Sequence, residues 1–291
     1  MFILILCVLL NSFIGVIFKL FDRYKIENLQ AIVVNYYICV LTAAVTIQSN
    51  PIPESLFYQP WIWHSMILGL LFILVFNVMA VTVQKTGVIM ATIFQKMSLL
   101  APAIIAIVWY NEHSGFSKIS GIIIAIVAII LMSYSNIRKE DKTQIRSKSD
   151  TLIYPILTFL GSCLIDSAVF ITDKKEFVKN GDTGFVASLF LFAAITGTFY
   201  LAYQIISGKT RLKLKNIIAG ICLGIPNYFS IYLLFMALQQ GLEGSVVFPV
   251  NNAGVLLLSS FYGILIFREK INNFKIAGFI LAMLSIFLIT T

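Results

Sequence analysis

Apolar residues in this chain gather into stretches about twenty positions long, separated by short polar breaks, rather than alternating at the period of a strand or a surface helix. Ten such stretches cover about 2-21, 30-48, 62-84, 87-109, 116-136, 152-172, 183-207, 216-238, 245-267 and 273-290. About twenty residues at ~1.5 Å each cross a hydrocarbon layer of ~30 Å, so each stretch is read as a transmembrane helix. Residues 2-18 could pass for a secretory leader, but no basic segment precedes them and no small-residue cleavage site follows, so they count as the first span. One strongly polar segment, RKEDKTQIRSKSD at 138-150, divides the spans five against five. The expected units are residues 1-137 and 151-291, joined by that linker.

Composition removes the soluble alternative. Of the 291 residues 59% are hydrophobic and 12% charged, with a mean hydropathy of +0.93, whereas soluble domains carry roughly 25% charged residues. The net charge of +8 would point to nucleic acid if it lay on one folded face, but the basic residues stand between the apolar stretches. No nucleic-acid partner is expected; the lipid bilayer is. Cys7, Cys39, Cys163 and Cys222 each sit alone in an apolar stretch, with no CxxC pair, and read as packing thiols rather than metal ligands.

The two halves are related. At an offset of 157 residues, 79-134 align with 236-291 without a gap, and 14 of the 56 pairs are identical. Apolar pairs inflate such a count, so the informative matches are Gly87 with Gly244, Glu112 with Glu269, Lys118 with Lys275 and Gly121 with Gly278. YNEHSGFSKISG and FREKINNFKIAG are copies of one segment. Because each unit has an odd number of spans, the second copy enters the membrane in the opposite direction, and the fold expected is an all-α membrane protein of ten transmembrane helices in two inverted five-helix repeats.

On these residues the chain resembles the EamA-type transporters of the drug/metabolite transporter superfamily: the Gly-bearing turns QKTGV and GLEGS, the glutamates Glu112 and Glu269 after the following spans, and the entries Lys118 to Gly121 and Lys275 to Gly278. The resemblance covers nearly the whole chain. It implies a central cavity lined by the first four spans of each half, with the fifth and tenth outside it, and it implies no particular substrate.

Charge placement sets an orientation. Connections after odd-numbered spans hold 16 Lys and Arg residues, those after even-numbered spans hold 4, and Lys96 lies within a span. The positive-inside rule then puts 138-150 and 208-215 in the cytoplasm and both termini outside. Many members of the family have a basic second loop and cytoplasmic termini; here residues 49-61 contain no Lys or Arg.

Ionised groups deep in a bilayer cost on the order of 3 kcal/mol or more unless they meet water or a partner. Lys96 in the fourth span and Asp166 in the sixth are the two that stand out. Helical spacing puts Thr92 with Lys96 on one stripe, and Ser162, Asp166 and Asp173 on another. Either the two charges form an ion pair tying the halves together, or they handle substrate or protons. The repeat sets Gln95 against Asn252 and Phe94 against Asn251, so both copies bring amides to matching depth; interhelical hydrogen bonds of about 1 kcal/mol are the plainer use of such groups. Asn77, Asn11 and Asn227, with Asn35, are further candidates for the substrate site. Lys19, near the end of the first span, is expected to snorkel. Pro102, Pro226 and Pro249 each remove a backbone hydrogen bond within a span, either kinking or breaking it. Trp61, Trp63 and Trp109 stand at span ends and read as interfacial anchors.

No HExxH, GxSxG, P-loop or dinucleotide-binding glycine pattern occurs in a fitting context. The expectation is a transporter and not an enzyme: a multi-pass protein of the cell (inner or plasma) membrane that moves a small polar metabolite such as an amino acid, by export. It is expected to use alternating access driven by a proton or a substrate gradient, with no ATP site and no cofactor. A membrane-embedded enzyme or a structural, partner-binding subunit is the alternative.

Overall fold

The computed structural model of the chain describes residues 2-111, 115-137, 148-174, 183-240, 244-269 and 271-290. Among them there is no strand. The helices are α1 Phe2–Arg23, α2 Asn28–Ile47, α3 Ile62–Thr86, α4 Val88–Lys96, α5 Leu100–Val108, α6 Phe116–Ile137, α7 Lys148–Lys174, α8 Thr183–Ile206, α9 Leu214–Gln239, α10 Gly244–Leu265 and α11 Asn273–Thr290. A 3-10 turn, Met97–Leu99, joins α4 to α5. Each apolar stretch thus becomes one helix, except the fourth, which becomes two. Among the described residues, seven segments are long and apolar enough to cross a membrane, and three more, Phe116–Met132, Val250–Leu265 and Asn273–Ile289, are apolar but shorter. Exposed positions on these helices are themselves apolar, as with Ile123, Ile130, Phe199 and Phe287. Such a surface suits acyl chains and not water, and the chain is an integral, multi-pass membrane protein.

Two helices, α6 and α11, pack chiefly on each other. Each offers a glycine where the other comes close: a Cβ on Gly121 would stand 2.8 Å from Leu288 Cβ, and one on Gly278 would stand 2.8 Å from Met132 Cγ. The remaining helices interleave across the two halves. α9 lies against α1 and α2, α3 against α7 and α8, α1 against α10, and α4 against both α7 and α10. In the interior the Tyr36 ring stacks on Phe190 at 5.9 Å between centroids, and its hydroxyl donates to the Phe72 carbonyl at 3.0 Å, which satisfies the only polar atom of a fully buried side chain.

Pro102 acts differently from Pro226 and Pro249. Pro102 has no N–H for the Ser98 carbonyl one turn earlier, and its ring crowds that carbonyl, so the helix gives way to the 3-10 turn at Met97–Leu99. At Pro226 no such break occurs; α9 runs through it, and α10 likewise runs through residue 249. Trp61 corrects another expectation. Its ring is 2% exposed and meets Phe185 edge-on at 5.5 Å, so it is a packed contact between halves rather than an interfacial anchor. Trp63 and Trp109, at 69% and 77% exposed, do face outward.

Helix ends carry a second set of interactions. Lys19 does not snorkel: its Nζ donates to the carbonyls of Gln84 at 2.9 Å and Val83 at 3.4 Å in the last turn of α3, where a cation also meets the helix dipole favourably. Beside it, the amides of Asn28 and Gln84 bond each other reciprocally at 3.2 and 2.8 Å. Gly87, between α3 and α4, has φ +96°, and Glu269 reaches over it to accept from the backbone N–H groups of Val88 at 2.6 Å and Ile89 at 3.3 Å. A Cβ at Gly87 would sit 2.6 Å from Glu269 Oε2, so glycine is required there twice, for conformation and for space. The Gly and Glu matches of the sequence repeat therefore have a physical meaning in the pair Gly87 and Glu269. Glu112 lies outside the described residues.

Candidate functional site

The break in the fourth span is where the deep polar groups meet. Lys96 is the last residue of α4 and Ser98 lies in the 3-10 turn that follows. The Ser98 hydroxyl is hydrogen-bonded to Asp166 Oδ2 of α7, across the two halves of the chain. Lys96 is within electrostatic reach of both Asp166 and Cys7. Among the described residues, however, the hydrogen-bond partner of Asp166 is Ser98, not the Lys96 ammonium. The simple ion pair considered from the sequence is therefore not the arrangement found. Lys96 and Gln95 are half-buried, directly after four fully buried residues, Ala91 to Phe94.

α1, α9 and α10 bring further polar groups to this region. Cys7 of α1 donates to the Ser230 carbonyl at 3.0 Å and more weakly to Asn251 Oδ1 at 3.5 Å. Asn251 is buried and Asn252, next to it, is half-buried. Since α4 packs on α10, the amides that the repeat sets at matching depth do lie on adjoining helices. Thr92 and Ser162, placed on the stripes of Lys96 and Asp166 by helical spacing, are buried at 3% and 6% exposure; the side chain of Asp173 lies outside the described set.

Asn227 belongs to a neighbouring cluster. Its Nδ2 donates to Asn35 Oδ1 at 3.1 Å, while the Cys39 thiol approaches the Gly224 carbonyl at 3.4 Å. The Ser230 hydroxyl donates to the Asn227 carbonyl at 2.8 Å, so one turn of α9 links this cluster to Cys7. Asn35 Nδ2 is buried with no hydrogen-bond partner, an uncommon expense for an amide. Asn77 turns away from the group: its Nδ2 bonds Ile73 O of its own helix at 2.7 Å. Asn11 is half-buried on α1 and joins none of these bonds.

Cys7, Ser98 and Ser230 were not singled out from the sequence. A thiol or hydroxyl in an apolar stretch is common and usually bonds its own helix, as the Ser230 hydroxyl does; Cys7 and Ser98 instead reach partners far away in the chain, the Cys7 thiol at the Ser230 carbonyl and the Ser98 hydroxyl at Asp166. The result is a polar seam running from Asp166 and Ser98 through Lys96, Cys7 and Asn251 to Ser230, Asn227 and Asn35. It passes through α7, α4, α1, α10, α9 and α2, and so through both halves.

Comparison with known proteins finds a family match in the second half. Residues 153-291 match the family model described as the EamA-like transporter family. An uncharacterized protein of Haemophilus influenzae is 26% identical over 292 residues, covering 98% of this chain and 96% of its own. A crystal structure solved for another protein aligns with 99% of this chain and 95% of its own, at a TM-score of 0.63 and 13% identity. At that identity the likeness speaks for the fold alone, and it extends along the whole chain.

Proposed function

We propose that the whole chain, whose residues 153-291 match the EamA-like transporter family of the drug/metabolite transporter superfamily, is a secondary transporter of ten spans, built as two inverted five-helix repeats over 1-137 and 151-291. Several observations support the repeat. α5 and α10 end at Val108 and Leu265, and α6 and α11 begin at Phe116 and Asn273, each pair separated by the same 157 residues as the sequence repeat. Asn111 and Arg268, equivalent at that offset, are both in the left-handed region at φ +50° and +51°. Packing is also symmetric on exchange of halves: α1 on α9 corresponds to α7 on α3, α2 on α9 to α8 on α3, and α1 on α10 to α7 on the broken fourth span.

The observation that carries the functional reading is the meeting of Lys96, Ser98 and Asp166 with Cys7 and Asn251 at the interruption of a membrane helix. Broken helices at the interface of inverted repeats are where transporters bind solutes, because only there are backbone and charged groups tolerated at depth. With a cation and a carboxylate held apart rather than paired, the substrate class proposed is a small zwitterion such as an amino acid. Lys96 holds its carboxylate, while Asp166, Gln95, Asn251 and Asn252 complete the site. Asn227 lines the adjoining cluster; Asn77 and Asn11 take no part. Movement is by alternating access and outward, with protons as the coupling ion and Asp166 as the group that carries them.

Uptake of radiolabelled amino acids into proteoliposomes tests this, with thermal stability measured in detergent alongside. Lys96→Gln is expected to fold and to lose transport, and Lys96→Arg to recover little, because a planar guanidinium does not take the place of a compact ammonium. Lys96→Met with Asp166→Leu should not restore transport. Near-normal uptake by stable Lys96→Gln would remove Lys96 from the site.

A further inference from the structure

Two helix connections from different halves of the chain meet in one junction, and neutral groups make it. Residues 24-30, where α1 gives way to α2, lie along residues 209-216, where α8 gives way to α9. Gln30 stands at the centre: its Nε2 donates to Thr210 Oγ1 at 2.8 Å and to the Arg211 carbonyl at 2.9 Å, and its Oε1 accepts from Asn216 Nδ2 at 2.8 Å and from the Lys213 N–H at 3.3 Å. Asn216 Oδ1 accepts from the Glu27 N–H at 3.2 Å, and Thr210 donates to Glu27 Oε2 at 2.6 Å. Lys215 Nζ donates to the backbone carbonyls of Tyr24 at 3.0 Å and Lys25 at 2.7 Å.

That junction gathers positive charge. Residues 22-30 and 208-216 hold six cations, Arg23, Lys25, Lys209, Arg211, Lys213 and Lys215, against two carboxylates, Asp22 and Glu27. All six cations are exposed, and Glu27 is already engaged by Thr210 and Gln30. Because amides, a hydroxyl and backbone groups hold the two segments together, the charges are left over, and like charges closer than a Debye length (~8 Å) repel until an anion joins them. The border of the patch is apolar. Tyr203 and Ile206 in the last turn of α8, and Leu212 and Leu214 at the start of α9, are exposed, and Lys209 lies over the Tyr203 ring at 5.6 Å. A soluble anion would use only the charges, whereas a phospholipid uses the charges and the apolar border together.

We propose that this junction binds the headgroup of an anionic phospholipid, with Arg23 and Lys25 of the first half and Arg211 and Lys213 of the second around its phosphate and its acyl chains along Ile206 and Leu214. Arginine supplies a planar fork for phosphate oxygens and lysine a point charge. The positive-inside rule accounts for these residues lying on one side of the membrane, but it asks for no convergence. Convergence is what the fold adds, setting Lys215 on Lys25 across 190 residues of sequence. A lipid bound there bridges the two halves, and the inference stands independently of the transport reading.

The test titrates the full chain, in a neutral detergent, with fluorescent short-chain phosphatidylglycerol and separately with the phosphatidylcholine analogue. Phosphatidylglycerol is expected to bind at least about tenfold more tightly; equal affinities would overturn the proposal. Arg23→Gln, Lys25→Gln, Arg211→Gln and Lys213→Gln together should weaken its binding at least about thirtyfold, since one cation beside an anionic surface is worth roughly fivefold. If that variant loses thermal stability, Lys25→Gln with Lys213→Gln takes its place, and unchanged affinity in either overturns the site. Lys85→Gln with Arg268→Gln removes two cations of other connections and should change binding less than about twofold; a loss per charge equal to that at the junction would make the effect diffuse surface charge, and overturn the site. Ile206→Ser with Leu214→Ser should weaken the lipid probe, and unchanged binding there would remove the acyl contact on which the choice of a lipid rests. Inorganic phosphate and polyglutamate, added as competitors, should displace little of the probe. Ready displacement by phosphate would assign the patch to a soluble anion, and by polyglutamate to an acidic protein, either of which overturns the lipid.

Discussion

Gly87 and Glu269 should be energetically coupled across 182 residues of sequence, and the structure sets the size of the effect. Glu269 accepts two backbone N–H bonds at the α4 N-terminus, of which the 2.6 Å bond to Val88 is strong and the 3.3 Å bond to Ile89 weak. A charge-assisted bond is worth about 1.5–3 kcal/mol and a carboxylate at a helix N-terminus up to about 1 more, so for a half-buried group about 2 kcal/mol is reasonable for Glu269→Ala. Gly87→Ala incurs two costs. The backbone at φ +96° and ψ 166° is one that side chains scarcely adopt, at about 2 kcal/mol, and the new Cβ 2.6 Å from the carboxylate evicts Glu269, forfeiting the same ~2 kcal/mol. If the changes were independent, the double variant would lose about 6 kcal/mol; because the cap can be lost only once, it should lose about 4, a coupling of about 2 kcal/mol. Denaturant titration of the four proteins in mixed micelles, followed by tryptophan fluorescence, measures the cycle. Additive losses within about 0.5 kcal/mol would refute the claim that Gly87 exists to admit Glu269.

Three further outcomes are expected. Pro102→Ala restores a donor to the Ser98 carbonyl and lets the fourth span straighten; it should keep thermal stability at or above that of the parent while reducing uptake at least tenfold, as Ser98 is drawn away from Asp166. Trp61→Ala, losing a 2%-exposed ring against Phe185, should cost about 3–5 kcal/mol, whereas Trp63→Ala, at 69% exposed, should stay within about 0.5 kcal/mol; equal losses in the same micelle titration would contradict the packing described. The charge distribution predicts that residues 208-215 are cytoplasmic and the C-terminus is not, so a C-terminal alkaline phosphatase fusion in a bacterial host should be active and a C-terminal fluorescent protein dark.

Much of this architecture is written in the one-dimensional pattern, because a bilayer imposes a length and an apolar content on whatever crosses it, and hydrogen bonding within each helix needs no knowledge of the rest of the chain. Helix positions, the relation of 79-134 to 236-291 and the depth of Lys96 and Asp166 are all of this local kind. Partnership is not. Whether Lys96 pairs with Asp166 depends on where α7 falls against α4, and the fold gives that carboxylate to Ser98 instead. Asn77 and Asn227 are alike as amides in apolar stretches, yet one closes on Ile73 of its own helix and the other reaches Asn35 of α2. Lys19 looks like a snorkelling residue until the carbonyl end of α3 arrives beside it. Trp61 looks like Trp63 until α8 covers it. In each case the side chain's chemistry admits several low-energy partners, and the choice among them is made by the packing of helices remote in sequence, which only the tertiary structure decides.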